Sequence, residues 1–170
     1  MGSLAHPRVP APRGFTLVEI LVVIVVLGVA AGLSFALVAP DERDLSAREA
    51  RRFAGALEYA AQRAQWRSET LGVSTDRRTV RYWRRDAADD RWRLLDDDDV
   101  LRAHALPQPV DAGALAYAGH ALAADAIVPL RPSGRNEPFA FVLTTPGYRT
   151  VIAMDPLNRA SIAGPSQNGP

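Results

Sequence analysis

The residue with the clearest chemical meaning is Glu19, a carboxylate near the start of a largely apolar run from Phe15 to Ala39. A charged group costs about 2.5–3.5 kcal/mol at the centre of a membrane-spanning helix, and such groups usually serve a function. We therefore expect Glu19 to serve a function.

The sequence contains no comparable sign of an enzyme active site or a metal centre. The chain has no cysteine, which excludes thiol nucleophiles, zinc-thiolate sites and disulfide bonds. His6, His104 and His120 are scattered, and no catalytic-triad spacing, phosphate-binding glycine loop or metal-binding helix motif is present. We therefore expect a protein that is not an enzyme and that needs no cofactor or metal.

The elements around Glu19 predict a single transmembrane helix over residues 15–39, since about 20 apolar residues suffice to cross a bilayer. The leader, residues 1–14, contains Arg8 and Arg13 and no acidic residue. By the positive-inside rule the leader stays in the cytoplasm and the chain after the helix is exported. A secretory signal peptide would have a shorter, uncharged core, and a plain membrane anchor would not include Glu19.

Two glycines interrupt this helix, and a proline follows it. Gly28 and Gly32 have the small-xxx-small spacing that lets membrane helices approach closely. They could equally weaken the helix, since glycine costs about 1 kcal/mol against alanine in a helix interior. Pro40 marks the expected membrane exit, with a kink or break in the helix.

The segment RGFTLVE at residues 13–19 resembles the processing site of type IV prepilins and type II secretion pseudopilins. In that family a membrane-embedded aspartyl peptidase cuts after the glycine and methylates the new terminal residue. The resemblance implies cleavage between Gly14 and Phe15 and N-methylation of Phe15. Gly14 lacks a side chain and leaves the backbone open to this peptidase. Cleavage there creates an α-amino group that is largely protonated at neutral pH, since its ordinary pKa is about 7.7–8.0. The resemblance further implies a filament in which this amine pairs with the Glu19 carboxylate of a neighbouring subunit and so sets the register of assembly.

Residues 40–69 predict a second helical segment, which would continue the first as one long, interrupted helix. Ser46 and Glu49 have capping-box spacing at its start. Apolar residues recur at helical intervals and predict a buried stripe, and their small size predicts close packing on a sheet. The stripe consists of Ala50, Phe53, Ala54, Leu57, Ala61 and Ala64. The other faces are predicted to hold Arg48, Arg51, Arg52, Glu58 and Arg63.

Residues 70–163 predict a β-rich domain, because short β-like runs alternate with turn signals. The predicted strands are Leu71–Thr75, Thr79–Arg84, Arg91–Leu95, Ile127–Leu130, Phe139–Thr144 and Thr150–Met154. Asp76-Arg77 and Pro146-Gly147 predict tight turns. A helix followed by antiparallel strands is an α+β layout. Residues 164–170 are rich in Gly, Pro, Ser and Asn and predict a flexible tail.

Within the pilin family the chain most resembles the H-type minor pseudopilins of type II secretion. The resemblance rests on RRFAGAL at 51–57, AAQRA at 60–64, and PSG at 132–134 followed by PF at 138–139 and FVL at 141–143. The missing cysteines agree, since major type IV pilins usually close a C-terminal loop with a disulfide. The implied fold is pilin-like, with a long N-terminal helix, transmembrane in its first half, packed on an antiparallel β-domain.

The resemblance implies a structural subunit at or near the tip of a periplasmic pseudopilus that drives protein export across the outer membrane. Its implied partners are other minor pseudopilins, the major pseudopilin, the prepilin peptidase, inner-membrane lipid and the secreted substrate. The net charge of +1 gives no reason to expect nucleic acid. Two alternatives stay open: a minor type IV pilin for pilus initiation or DNA uptake, and an unrelated single-span periplasmic binding module.

The acidic run Asp96–Asp99, with Asp89 and Asp90 nearby, allows a calcium site, since calcium prefers several carboxylate oxygens. An exposed, self-repelling acidic loop is the favoured interpretation, because runs of like charge normally stay solvated.

Trp83 and Trp92 lie among several arginines and could form a surface for single-stranded DNA. Interleaved Arg and Asp instead favour neighbouring strands with cross-strand ion pairs and buried rings. The Gly-Arg-x-Arg type motif of DNA-uptake minor pilins is incomplete at residues 157–160, which read LNRA.

Overall fold

The computed structural model of the chain describes residues 17–38 and 41–167. The chain divides into two compact units, Met1–Ala39 and Pro40–Pro170. Gly14, Phe15 and Pro40 lie outside the described residues. The predictions made for those three residues therefore stay predictions.

In the first unit, helix α1 runs from Leu17 to Val38, with Glu19 in its first turn. Gly28 and Gly32 both lie within this helix. Among the residues that the structure describes, no helix satisfies the length and hydropathy criteria of a membrane span. Residues 15, 16 and 39 of the predicted transmembrane segment lie outside the described residues, so this segment stays a prediction.

In the second unit, helix α2 runs from Glu42 to Arg67. Asp41 is its N-cap, and the Asp41 carboxylate accepts a hydrogen bond from the backbone N–H of Arg43 at 2.9 Å. The capping box predicted at Ser46 is wrong, because Ser46 is buried one turn inside the helix, where its hydroxyl lies 2.9 Å from that of Thr150.

Ten strands follow α2, in two antiparallel sheets. The first sheet has the order β3-β2-β1-β7, with β4 also pairing β2, and the second has the order β10-β9-β8-β5-β6. The first comprises β1 Leu71–Thr75, β2 Thr79–Arg85, β3 Trp92–Leu94, β4 His104–Ala105 and β7 Val128–Leu130. The second comprises β5 Asp111–Tyr117, β6 His120–Ala121, β8 Phe139–Thr144, β9 Tyr148–Met154 and β10 Ala160–Gln167. The predicted α+β layout is confirmed.

Four of the ten strands were not predicted from the sequence. Strands β4 and β6 contain two residues each, too few for a recognisable pattern. Strand β5 reads DAGALAY and lacks the β-branched residues typical of strands. Strand β10 continues to Gln167, so the flexible tail predicted from Gly164 is wrong for residues 164–167, whose strand pairs with β9.

The core lies between α2 and the sheets. The predicted apolar stripe of α2 is buried along its whole length. The Phe53 ring packs on Phe141 of β8 with centroids 5.1 Å apart, and Phe139 meets Phe141 edge to face at 5.9 Å. Aromatic pairs in this geometry contribute beyond their buried area. The alanines of α2 are small, so the helix can pack closely on sheets whose facing side chains are larger.

Candidate functional site

Between Leu17 and Val29, helix α1 presents apolar side chains on every side. Its large hydrophobic residues between Leu17 and Val29 are 46–82% exposed. A helix that is hydrophobic all round is normally covered by lipid or by other protein. No side chain on α1 would contact a Cβ added at Gly28, so the chain itself leaves space there for a neighbour.

The glutamates of α2 hold the β-sheets. Glu42 accepts a hydrogen bond from the backbone N–H of Gly147 at 3.2 Å, in the β8–β9 turn. Glu49 Oε2 lies 2.9 Å from His104 Nε2. Glu58 accepts from the backbone N–H of Ala160 at 2.8 Å, at the start of β10. Three carboxylates spaced along one helix thus fix three separate points of the β-rich part.

Arg63 is buried at the centre of an ion-pair cluster. Its guanidinium donates to Glu69 Oε1 at 2.8 Å, to Asp98 Oδ2 at 2.6 Å and to Asp97 Oδ1 at 3.1 Å. The Arg63 side chain is 3% exposed. The prediction that Arg63 occupies a polar outer face is therefore wrong, because the acidic loop folds back over the edge of the helix.

The same cluster corrects the interpretation of the acidic run. Asp98 also accepts from the Tyr59 hydroxyl at 2.9 Å and from the backbone N–H groups of Val100 and Leu101. Asp98 is largely covered and paired with Arg63, so it departs from the predicted solvated loop. Asp97 also pairs with Arg63 but is 46% exposed, and Asp96 and Asp99 are exposed, so the predicted exposure holds for these three. Among the described residues, no group of three or more acidic, histidine or cysteine side chains is arranged to hold a metal ion.

Ionisation in the cluster follows from these contacts. Burial of Asp98 opposes its ionisation, but hydrogen bonds from Arg63 and Tyr59 outweigh burial and hold the pKa of its carboxyl below the ordinary value. Hydrogen bonds from Arg63 likewise lower the pKa of Asp97. The hydrogen bond to Asp98, together with burial, raises the pKa of Tyr59.

The tryptophan and arginine region of β2 and β3 is occupied by its own contacts. Trp83 donates from Nε1 to the Ser74 hydroxyl at 2.8 Å. The Arg85 guanidinium lies 5.7 Å from the centre of the Trp92 ring, and Arg93 contacts two aspartates. The prediction that these strands are neighbours is confirmed. The aspartates that pair with Arg93 lie in the β2–β3 loop and not on a facing strand, and both rings are half-buried and not fully buried as predicted.

A pair of asparagine side chains holds the β7–β8 loop, residues 131–138, and the sequence did not predict this pair. Asn136 Nδ2 donates to Asn158 Oδ1 at 2.6 Å, and Asn136 Oδ1 accepts from the backbone N–H of Arg131 at 2.7 Å. Asn158 Nδ2 donates to the carbonyl of Gly134 at 3.0 Å. Both asparagines are buried. The incomplete LNRA motif therefore has a structural role, since its Asn158 ties the loop to the β9–β10 turn.

Family models match both parts of the chain. The prokaryotic N-terminal methylation motif matches residues 11–35. The model of the type II transport protein GspH matches residues 49–157, which include most of α2 and the β-rich part as far as the β9–β10 turn.

The chain belongs to the GspH family. The type II secretion system protein H of Pectobacterium carotovorum subsp. carotovorum is 36% identical over 81 residues, which cover 46% of this chain and 43% of that relative. The match therefore spans less than half the length of this curated relative.

Solved structures share the GspH fold. The minor pseudopilin EpsH from the type II secretion system of Vibrio cholerae aligns with a TM-score of 0.59 at 14% identity, covering 76% of this chain and all of that one. The solution structure of E. coli GspH aligns with a TM-score of 0.58 at 17% identity, covering 78% of this chain and 99% of that one. At these identities the likeness concerns the fold, and it confirms the predicted helix and antiparallel β-domain.

Proposed function

We propose that this GspH family member is a minor pseudopilin, a structural subunit at or near the tip of the type II secretion pseudopilus that drives protein export. The observation that carries the proposal is a processing motif at residues 13–19 joined directly to an all-round apolar helix, in one chain with a GspH domain. The described contacts of the GspH domain support a structural role and not an enzymatic one, because its clustered charged groups hold its own elements together.

The proposed topology follows from charge and apolarity. The leader, residues 1–14, stays in the cytoplasm, residues 15–39 reside in the inner membrane before assembly, and the β-rich part is periplasmic. The exposed side chains of α1 support this arrangement, because burying apolar surface in lipid or against other subunits is favourable. Other pseudopilins would replace lipid around this helix during assembly, and the prepilin peptidase would act first.

The proposed roles of the N-terminal residues can be tested by mass spectrometry of the membrane-extracted protein. We expect a chain that begins at N-methylated Phe15, and we expect Gly14→Val to keep the terminus at Met1. A side chain at Gly14 would block access to the scissile bond. Wild-type protein that still begins at its initiator methionine would contradict the proposal.

Glu19 is proposed to pair with the Phe15 amine of a neighbouring subunit. Glu19→Gln removes the charge at nearly constant volume, so one amine in the filament would stay unpaired in an apolar environment. We expect normal cleavage but reduced incorporation, measured as the fraction of the protein that copurifies with sheared filaments. Glu19→Asp is the matched control, because it keeps the charge. Assembly and secretion of the Gln variant at the wild-type level would contradict this role.

A further inference from the structure

The outward face of α2 carries an unusual set of residues. Helical periodicity of about 3.6 residues per turn puts one set of side chains opposite the buried stripe. Its exposed members, which we call the outward face, are Asp44, Arg48, Arg51, Arg52, Gly55, Gln62 and Trp66. From the first to the last, the outward face extends about 33 Å along the helix, at about 1.5 Å per residue.

The arginines of this face have no carboxylate partner. Within residues 41–167, neither Arg48 nor Arg51 nor Arg52 forms an ion pair. One reason lies on the same helix, where Glu42, Glu49 and Glu58 are turned inward to hold the sheets. The fold thus leaves three guanidinium groups and one carboxylate, that of Asp44, on the outer side of α2, which has a net positive charge.

Gly55 is the second observation. A methyl group at this position would meet no atom within 4 Å. Glycine in a helix interior costs about 1 kcal/mol of stability against alanine. No close packing within the chain at Gly55 compensates for this cost. A glycine on an exposed helix surface does allow another backbone to approach closely. Its position between the arginines and Trp66 suits the close approach of a second helix.

Trp66 is the third observation. Its side chain is 76% exposed at the end of α2. Tryptophan and arginine are the residues most enriched among those that dominate protein interfaces. The outward face therefore combines the exposed Trp66 ring, a glycine without a side chain and three arginines that form no ion pair.

From these observations we infer that the outward face of α2 docks a helix of another protein whose facing side carries carboxylates. A second copy of this chain fits poorly, because its own outward face is basic and like charges in contact cost several kcal/mol. The inference rests on the proposed function in one respect, that the acidic partner is another subunit of the same filament.

The first test uses the full chain in its native cells, with p-benzoylphenylalanine replacing Gln62. Irradiation should give one specific protein adduct, and the helix of the adduct identified by peptide mapping should carry Asp or Glu on the crosslinked side. The same probe at Ala88, an exposed position in the β2–β3 loop, is the control. Equal adducts from both positions, or adducts only to lipid or to a second copy, would overturn the inference.

Charge reversal gives the second test. The double change Arg48→Glu and Arg51→Glu should lower the Gln62 adduct at least tenfold, because like-charge contacts cost several kcal/mol and about 1.4 kcal/mol is a factor of ten. The control changes two other exposed and unpaired arginines, Arg91→Glu and Arg149→Glu, and leaves the adduct intact. If the adduct persists after the change of Arg48 and Arg51 as it does after the control change, electrostatic docking is excluded.

Gly55→Leu separates docking from folding. The space beside Gly55 is open and leucine favours helix, so the unfolding temperature should stay equal or rise while the adduct is lost. Persistence of the adduct would contradict close helix approach. N-terminal processing and secretion, assayed in the same strains, distinguish the two proposals. In the strain that carries only the Gln62 probe, normal processing and secretion without an adduct would refute only the docking face. A specific adduct in that strain from a protein that still begins at Met1 would refute only the proposed function.

Discussion

Arg63 and Arg52 lie about three turns apart on α2, yet the fold uses them in opposite ways. Arg63 is buried and bonded to three carboxylates, whereas Arg52 is exposed and forms no ion pair within the described residues. The difference lies in what covers the helix, since the acidic loop reaches the position of Arg63 and nothing in the described chain covers Arg52 in this way. A charge surrounded by its own fold contributes to stability, and an uncovered charge remains available to a partner.

The largest effect should come from removing the inner charge. Arg63→Met leaves the half-buried carboxylates of Asp98 and Glu69 without their cation, and breaking a largely buried pair in this way costs on the order of 3 kcal/mol. Arg52→Met is the matched control and should stay within about 0.5 kcal/mol of wild type. Urea unfolding of the full chain in detergent, followed by tryptophan fluorescence, measures both. Equal effects of the two changes would remove the distinction between the inner and outer arginines.

A buried and an exposed glycine can be compared in the same way, with a smaller expected change in the free energy of unfolding. A methyl group on Gly72 of β1 would lie 2.5 Å from Ile127 Cγ2 and 2.8 Å from Trp92 Cζ3. Gly72→Ala should therefore lower the free energy of unfolding by about 1–3 kcal/mol through overpacking. Gly55→Ala on the outward face should instead raise it, by about 1 kcal/mol. The same unfolding assay decides the signs, and a loss of stability in both variants would show that the outer glycine is also needed by the fold.

The inner cluster also predicts a pH dependence. Asp97 and Asp98 have folded-state pKa values below the ordinary range, so the unfolded chain binds more protons when the medium is acidic. Their stabilising contribution is complete above the unfolded pKa of about 3.9 and is lost as pH falls through the lower folded values. Unfolding of wild type and Arg63→Met measured between neutral and acidic pH should show a shallower loss in the variant. Identical slopes below pH of about 4 would contradict the linkage to Arg63.

The smallest effect concerns Tyr82, which is buried in the core. Its hydroxyl has no hydrogen-bond partner among the described residues, and burial raises its pKa. Tyr82→Phe removes a polar group that burial penalises, so stability should stay equal or rise by up to about 1 kcal/mol. Thermal unfolding measures this change. A clear loss of stability would mean that the hydroxyl makes a bond in solution.

Several fold predictions succeeded because local patterns determined them. The Ala and Phe stripe of α2 repeats at helical spacing, and β8 and β9 alternate apolar and polar residues as half-buried strands do. The prediction failed at Ser46, which has the side chain of an N-cap but lies inside a helix that begins at Glu42. It also failed at β5, whose alanines have little strand preference and are held by pairing with β8.

By itself the sequence determined the processing motif around Gly14, the apolar run with Glu19, and the order of one helical region before many strands. Each of these depends on residues close together in the chain. Tertiary structure alone decided which charges are paired. Arg63 meets Asp98 across 35 residues and Asn136 meets Asn158 across 22. No local pattern distinguishes Arg63 from Arg52, because burial and neutralisation depend on which distant loop folds over the helix.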